Sequence, residues 1–379
     1  MKFIHLSDLH LGKKVHEYSM IEDQEYILKE ILSIADEENV DAFLLCGDIY
    51  DKPIPPVEAV RLFDEFLVEL AKRHLEVFII SGNHDSAERI SFGARLMEQG
   101  GIHFAPTYNG SLHTVAMEDD FGEVEIAMLP FIKPIHVKRF FPDAPIENYT
   151  DAVAQALFTK ENDPSLRRIL LTHQFVTGAS RCESEEVVVG GLDNVDATVF
   201  KDFDYVALGH IHSPQNVTKD TIRYCGTPLK YSFSEVGQEK SVTVVTMEEK
   251  GNVEVKTIPL TPKREMRKLS GTYDELTLKS FYEHTTYPTD YVHITLTDEE
   301  DVPDAISRLQ VIYRNLMKLD YDNTRTRFNQ TIEADEANDR KTPIELFEEL
   351  YELQNNRPMS EEQRNFAAAL MEKVMEVEE

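Results

Sequence analysis

The chain has 379 residues, 41% apolar and 28% charged, and a formal net charge of −30 at pH 7. This length exceeds what one hydrophobic core ordinarily organises, so two or three domains are expected. The composition is that of a soluble globular protein, with no apolar run of the eighteen or more residues needed to span a bilayer.

The opening residues, MKFIHLSDLHLG, lack the longer apolar stretch of a signal peptide, so a cytoplasmic protein is expected. Cys46, Cys182 and Cys225 are too scattered for a disulfide framework or a thiolate zinc site and read as buried or incidental thiols. The acidic balance counts mildly against a protein that grips nucleic-acid phosphates with its own cations. Basic residues come at most in pairs, such as Lys13–Lys14 and Arg167–Arg168. A polyanionic substrate would therefore need bound cations, local patches or a partner.

Along the chain, the run FIHL reads as a strand, and a helix follows HEYSM with Ile27, Ile31 and Ile34 on one face. AFLLC is a second strand. After PIPP, Val60, Phe63, Leu67 and Leu70 share a helical stripe. VFII, IAMLP, ILLT and YVAL are further strands, short and almost unbroken in apolar character, as in a sandwich buried on both faces and flanked by helices. KSVTVVTM and NVEVKTIPL read as a closing antiparallel pair. PLTPKRE is a linker, and the stretch to about residue 325 predicts strand, helix, strand and a last helix over AISRLQVIYRNLMKL (305–319). An acidic stretch then leads into two amphipathic helices separated by Arg357–Pro358. The expected domains are 1–262, 263–328 and 329–379. Neither a Walker A sequence nor a dinucleotide glycine fingerprint is present.

The strand ends carry the chemistry. FIHL runs into Asp8 and His10, AFLLC into Gly47 and Asp48, VFII into Gly82, Asn83, His84 and Asp85, ILLT into His173, and YVAL into Gly209, His210 and His212. Singly, each has an ordinary reading as a turn, a cap or a core histidine. The His-x-His pair says more, because period-two spacing puts both rings on one side of an extended segment. Together they form a set of oxygen and imidazole donors of the kind that suits manganese, iron or zinc, placed where layered α/β folds gather ligands. The set is large enough for two cations with Asp48 as the bridge: Asp8, His10, His212 and Asp48 on the first, Asn83, His173, His210 and Asp48 on the second. Two such ions, about 3.5–4 Å apart, can generate a hydroxide and clamp a phosphate. His84 is then left over as a general acid, with Asp85 placed to orient its ring, unless it is a structural histidine outside the ligand shell.

The set Asp-x-His, Gly-Asp, Gly-Asn-His-Asp, His and Gly-His-x-His resembles the calcineurin-like metallophosphoesterase superfamily. HLSDLHLGK, GDIYDKPIPP, SGNHDSAERISFG, LGHIHSPQ and YCGTPLKYSFSE further resemble the bacterial nuclease subunits of double-strand-break repair complexes. The resemblance implies an α/β (α+β) fold, a four-layer β-sandwich with outer helices, followed by a small α/β capping domain. It also implies a Mn²⁺-dependent phosphodiesterase with exonuclease action on duplex ends and endonuclease action on hairpins or single strands, in DNA end processing, repair and recombination. The ligand roles fall on the seven residues above and the acid role on His84.

One departure is that archaeal relatives carry a second active-site histidine shortly after Gly-Asp, where this chain has Tyr50-Asp51-Lys52. Lys52 is a candidate to take its place, and Lys13 is a further candidate substrate contact. The resemblance also implies an SMC-like coiled-coil ATPase partner, with two copies of each chain in a heterotetramer. The tail faces Ile344, Phe347, Leu350 and Tyr351, and Phe366, Leu370 and Val374, would dock on that coiled coil or pack on their own domain. Two rivals remain: a phosphatase or small phosphodiesterase of the same fold, and a scaffold without catalysis. The first typically shows Gly-Asp-x-x-Asp-Arg-Gly and Gly-Asn-His-Glu rather than GDIYDKP and GNHD, and the second should have lost several of the seven ligands.

Overall fold

In the computed structural model the described residues are 1–158, 163–180, 193–327, 344, 347–348, 351 and 359–375. They fall into two compact units, Met1–Glu265 and Met266–Glu379.

The first unit is built on two six-stranded sheets. In the first, Lys2–Leu6, Ala42–Cys46, Glu76–Ile80 and Ile102–Ala105 run parallel, and Ser241–Met247 and Val253–Pro259 continue it as an antiparallel pair beyond Lys2–Leu6. In the second, Lys219–Tyr224, Tyr205–Gly209, Arg167–His173 and Gly122–Leu129 are parallel, with antiparallel edges at Gln215–Val217 and His113–Asp119.

Period-two alternation explains why the strands read as unbroken apolar runs. Ile169 and Leu171 face the first sheet and share a core with Leu44, Phe78 and Ile80. Leu170 faces the other way, onto Val153 and Ala156 of the helix Tyr149–Leu157. On the far side of the first sheet, Phe43 meets Phe66 of the helix Val57–Lys72 edge-on. The order helix, sheet, sheet, helix is the expected four-layer α/β sandwich.

Ile27, Ile31 and Ile34 are buried in the helix Ile21–Glu38, as their spacing predicts. Val60 is a correction. It is 45% exposed, while Ala59, Leu62, Phe63, Phe66, Leu67 and Leu70 form the buried stripe. At 100° per residue that stripe is centred near Leu70 and Ala59, and Val60 lies just past its edge. Cys46 and Cys225 are buried free thiols, and Cys182 lies outside the described residues.

The second unit holds a three-stranded parallel sheet, Met266–Gly271, Tyr291–Leu296 and Asn315–Tyr321. Here the helix expected over 305–319 is corrected: it ends at Gln310, and the residues from Asn315 form a strand. The β-branched and aromatic run Val311–Ile312–Tyr313 ends the helical pattern. Leu316 then joins Val292 and Ile294 in the core of this unit, so tertiary packing overrides local periodicity. In the tail, Glu361–Met375 is helical, with Phe366 72% and Leu370 54% exposed. Ile344, Phe347 and Tyr351 are among the described residues, whereas Leu350 and the side chain of Val374 lie outside them.

A buried histidine ties the two sheets together. His5 Nε2 donates to the Leu208 carbonyl (3.2 Å), which leaves Nδ1 to accept from the Tyr205 hydroxyl (2.9 Å). Burial, helped by the charge of Arg223, pushes its pKa from 6.5 down to about 3, against the opposing pull of the Leu208 bond. Between those two values the unfolded chain binds one proton more than the fold, so stability falls as the pH drops through that window. His5→Gln keeps a donor and an acceptor. It is expected to reduce the slope of unfolding free energy against pH, in urea titrations from pH 6.5 to 4.5, by up to about 1.4 kcal/mol per pH unit. An unchanged slope would show that another group carries the acid sensitivity.

Candidate metal centre

Five parallel strands end at one edge of the sandwich, three from the first sheet and two from the second. The turns that follow are laced together: the Asp8 amide donates to the Gly47 carbonyl (3.0 Å), His10 to that of Asp48 (2.9 Å) and Leu11 to that of Ile49 (2.9 Å). Asp8 (φ 53°), His10 (φ 44°), Asp48 (φ 50°) and His210 (φ 101°) have left-handed backbones that non-glycine residues seldom adopt. Strain of this kind persists only where surrounding structure enforces it, and it collects at functional sites.

The glycines preceding the polar residues are there for proximity. A Cβ on Gly82 would stand 2.1 Å from Asp48 Oδ1, and one on Gly209 1.9 Å from the Cys46 carbonyl oxygen and 2.7 Å from His173 Nδ1.

These turns bring all seven expected ligands into one cluster. His10 Nε2 and His212 Nε2 are 3.2 Å apart. Asp48 Oδ2 lies 3.4 Å from His173 Nε2, 3.8 Å from His10 Nε2 and 3.9 Å from His84 Nε2. Asn83 Oδ1 is 3.1 Å from both His173 Nε2 and His210 Nδ1. Asp8 accepts the His210 amide on both carboxylate oxygens (3.0 and 3.2 Å). Donor atoms of Asp8, His10 and His212, of His10, Asp48 and His84, and of Asp8, Asp48 and His173 each gather within 4.8 Å.

The donor set fits divalent cations. It contains oxygen and imidazole nitrogen and no thiolate, and Asp8, His10, Asp48, His173 and His212 are all buried. The His173 Nδ1 bond to the Cys46 carbonyl (2.8 Å) fixes its tautomer and leaves Nε2 toward the cluster, the support that ligating histidines commonly have. Burial pushes the Asp8 carboxyl up, and the charge of Asp48 adds to it. Burial alone would raise Asp48 too, but His173 and His10 hold it well below the usual carboxylate range. In return Asp48 lifts His173 to about 9 against its burial. Burial drives His10 well below its ordinary value. Two carboxylates this close cannot both stay charged without positive charge between them, which protons or cations can supply.

His84 sits beside the cluster. Its Nδ1 lies 3.0 Å from the Asp51 carbonyl, and its ring meets that of His10 edge-on at 4.9 Å. The orienting role expected of Asp85 is a correction. The Asp85 carboxylate is taken up by the amides of Gly82 (2.9 Å), Tyr50 (3.0 Å) and Ile49 (3.2 Å), so it ties two turns together while the Asp51 carbonyl orients His84. Lys13 pairs with Asp51 (2.7 Å), and its ammonium lies over the Tyr231 ring. Lys52 is exposed. Tyr50 turns into the core against Phe63 and does not replace a second histidine.

Four supporting residues escaped the sequence reading. Buried Glu235 is 3.9 Å from His212 Nδ1, and Lys240, 2.6 Å from Glu235, donates to the His212 carbonyl (2.9 Å). The Tyr231 hydroxyl donates to the Leu9 carbonyl (2.6 Å) and the Gln24 amide to that of His10 (2.8 Å), fixing the Asp8–His10 turn. The signal for Glu235 and Tyr231 lay inside YCGTPLKYSFSE, which carries the family resemblance but no chemistry legible on its own.

Comparison with known proteins agrees with this geometry. The profile of the calcineurin-like phosphoesterases matches residues 1–214, and that of the type 5 capsule protein repressor C-terminal domain matches residues 262–355. The SbcD chain of the nuclease SbcCD from Staphylococcus epidermidis (strain ATCC 12228) is 31% identical over 323 residues, spanning 84% of this chain and 85% of that protein. Two solved structures also align. One is a dimetal phosphatase from Danio rerio (12% identity, TM-score 0.37, 69% of this chain and 99% of that one). The other is a protein of Thermus thermophilus (12% identity, TM-score 0.38, 68% and 98%). The chain belongs to the calcineurin-like phosphoesterase family and, within it, to the group of the SbcD nuclease chains. It is a metal-dependent phosphoesterase.

Gly82→Ala should displace Asp48 without disturbing the sheets. We expect unchanged far-UV circular dichroism but Mn²⁺ binding weakened at least ~10-fold, the loss typical when a group supporting the ligands is removed. Equal metal content by mass spectrometry in both proteins would show that this approach does not shape the centre.

Proposed function

We propose that the chain is the nuclease subunit of an SbcCD-type complex, a Mn²⁺-dependent DNA phosphodiesterase acting with an SbcC-type, SMC-like coiled-coil ATPase. The reading rests above all on Asp48, whose Oδ2 lies within 3.4–3.9 Å of His173, His10 and His84 at the common end of both sheets. Asp8, His10, His212 and Asp48 would hold one cation, and Asp48, Asn83, His173 and His210 the other. When bound, a pair of such ions supplies Lewis acidity for an in-line displacement at phosphorus.

The protein's own proton transfer falls to His84. With Nδ1–H donating to the Asp51 carbonyl, a proton on Nε2 exists only in the imidazolium form. That proton would pass to the leaving oxygen as the P–O bond breaks. Asp85 contributes by holding the Asp48 and Asn83 turns at fixed distance. Lys13 is already paired with Asp51, so part of its charge is neutralised before a substrate phosphate arrives.

Residues 263–328 would act as a capping domain. The tail would dock on the partner through Ile344, Phe347, Leu350 and Tyr351, and Phe366, Leu370 and Val374. Exposure of Phe366 and Leu370 in a helix supports this assignment. The partner would provide the basic DNA surface that a chain of net charge −30 does not, and two copies of each chain would form a cytoplasmic heterotetramer.

His84→Ala is expected to keep two metal ions and lose about 10²- to 10⁴-fold in cleavage of a blunt duplex. Unchanged rates would remove His84 from the reaction, and faster turnover of phosphoserine peptides than of DNA would point to a phosphatase. Deleting residues 340–379 should abolish co-purification with the ATPase while Mn²⁺-dependent hydrolysis of small phosphodiesters persists. Retained co-purification would contradict docking through the tail.

A further inference from the structure

A cavity of about 610 Å³ opens beside the cluster and shares Asn83 and His210 with it. Its wall carries Tyr108, Phe131, Phe140 and Tyr149, and Lys133 and Arg139 stand among them. The Phe131 ring lies nearly parallel to that of His210 (centroids 6.4 Å apart, planes at 22°). The Lys133 ammonium is 6.0 Å from the Phe131 centroid. Phe140 and Tyr108 meet edge to face at 5.8 Å, and Gly110 (φ 97°) passes so close to Phe140 that a Cβ would stand 2.8 Å from its ring. Neither Lys133 nor Arg139 forms an ion pair with any described residue, whereas Arg167, Arg168 and Lys13 are all paired with carboxylates.

A phosphodiester seated on the cluster carries a nucleoside on each side. With one wall of the cavity made by Asn83 and His210, one of those nucleosides has to lie at its mouth. The volume is that of a pocket for a single small ligand. A base still stacked and paired in a duplex cannot enter it, but a base that has left the stack can.

Aromatic side chains give such a base a face to stack on whatever its identity. Cations among the lining residues suit the phosphates on either side of it. We propose that this cavity is a subsite for one unstacked nucleoside adjoining the phosphate to be cut, with Tyr108 and Phe140 as its stacking platform and Lys133 and Arg139 as its phosphate contacts. The proposal rests on the nuclease reading above and adds the form of DNA that the site accepts. Unstacking costs a few kcal/mol within a duplex and least where the base is already unpaired. Preference for frayed ends, hairpin loops and single strands would then arise in the cavity itself, without a basic surface along the duplex.

The test uses the full chain with Mn²⁺ and single-stranded oligonucleotides in which one phosphodiester is hydrolysable and the others are phosphorothioates. The nucleotide on one or the other side of that bond carries a base or is abasic. With wild-type protein, removing the base on one of the two sides should lower kcat/KM roughly 5- to 100-fold, while exchanging one base for another changes it by less than about 3-fold. Phe140→Ala and Tyr108→Ala should lose a similar factor on the base-bearing substrate and nothing further on the abasic one. Equal cleavage of both substrates by wild type, or equal losses on both by the variants, would overturn the subsite. The substrate comparison needs only wild-type protein, so a variant that fails to fold leaves the test standing. Wild type that cleaves no DNA would refute the nuclease reading itself, whereas cleavage indifferent to the flanking base would refute the subsite alone.

Discussion

Asp48 is buried against imidazoles from three other turns, and that single carboxylate sets the terms for the structure around it. Removing a carboxylate from water costs several kcal/mol unless close positive charge compensates. Compensation at 3–4 Å demands that separate strand ends come closer than ordinary side chains permit. Glycine at 82 and 209, and left-handed turns at Asp8, His10 and Asp48, follow from that demand. The amide-to-carbonyl bonds between the Asp8 and Asp48 turns hold the strained backbone in place, so removing one turn would release the other.

The two-sheet plan serves the same end. Parallel strands deliver their carboxyl ends to one edge, and facing two such sheets puts two rows of strand ends opposite each other. Asp8, Asp48 and Asn83 come from one row and His173 and His210 from the other, so the centre exists only when the sheets are packed. His5, joining the sheets through Tyr205 and Leu208 immediately before the Asp8 turn, makes that packing part of the site.

The seven donors were legible in the sequence because polar residues interrupt apolar runs at five strand ends, and the five together say what no single turn or cap residue does. The strands themselves were legible from unbroken apolar character. Other features were set by distance in space. Asp85 looked like a partner for the adjacent His84, but two of the three amides that claim it belong to residues 35 and 36 positions earlier. Tyr231 acts on a turn some two hundred residues away, and Glu235 and Lys240 meet at His212, a contact invisible until the chain folds. The strand from Asn315 and the exposure of Val60 were misjudged for a related reason. Both are decided by what packs against a segment, which periodicity reports only on average.

The strong negative charge is compatible with a polyanionic substrate once charge is considered locally. Most of the basic residues near the sandwich are committed: Arg167 to Asp119, Arg168 to Glu125, Arg264 to Glu22 and Asp23, Lys240 to Glu235. Such pairs stabilise turns and strand ends but present little net field to a duplex, and salt screens what remains within about 10 Å. Two places beside the strand ends are suited to draw a phosphate. One is the cluster, where two carboxylates and a ring of imidazoles suit divalent ions. The other is the neighbouring Lys133 and Arg139, which have no carboxylate partner among the described residues. A site of this kind suits a single phosphate, because the cluster and the two cations beside it are close together.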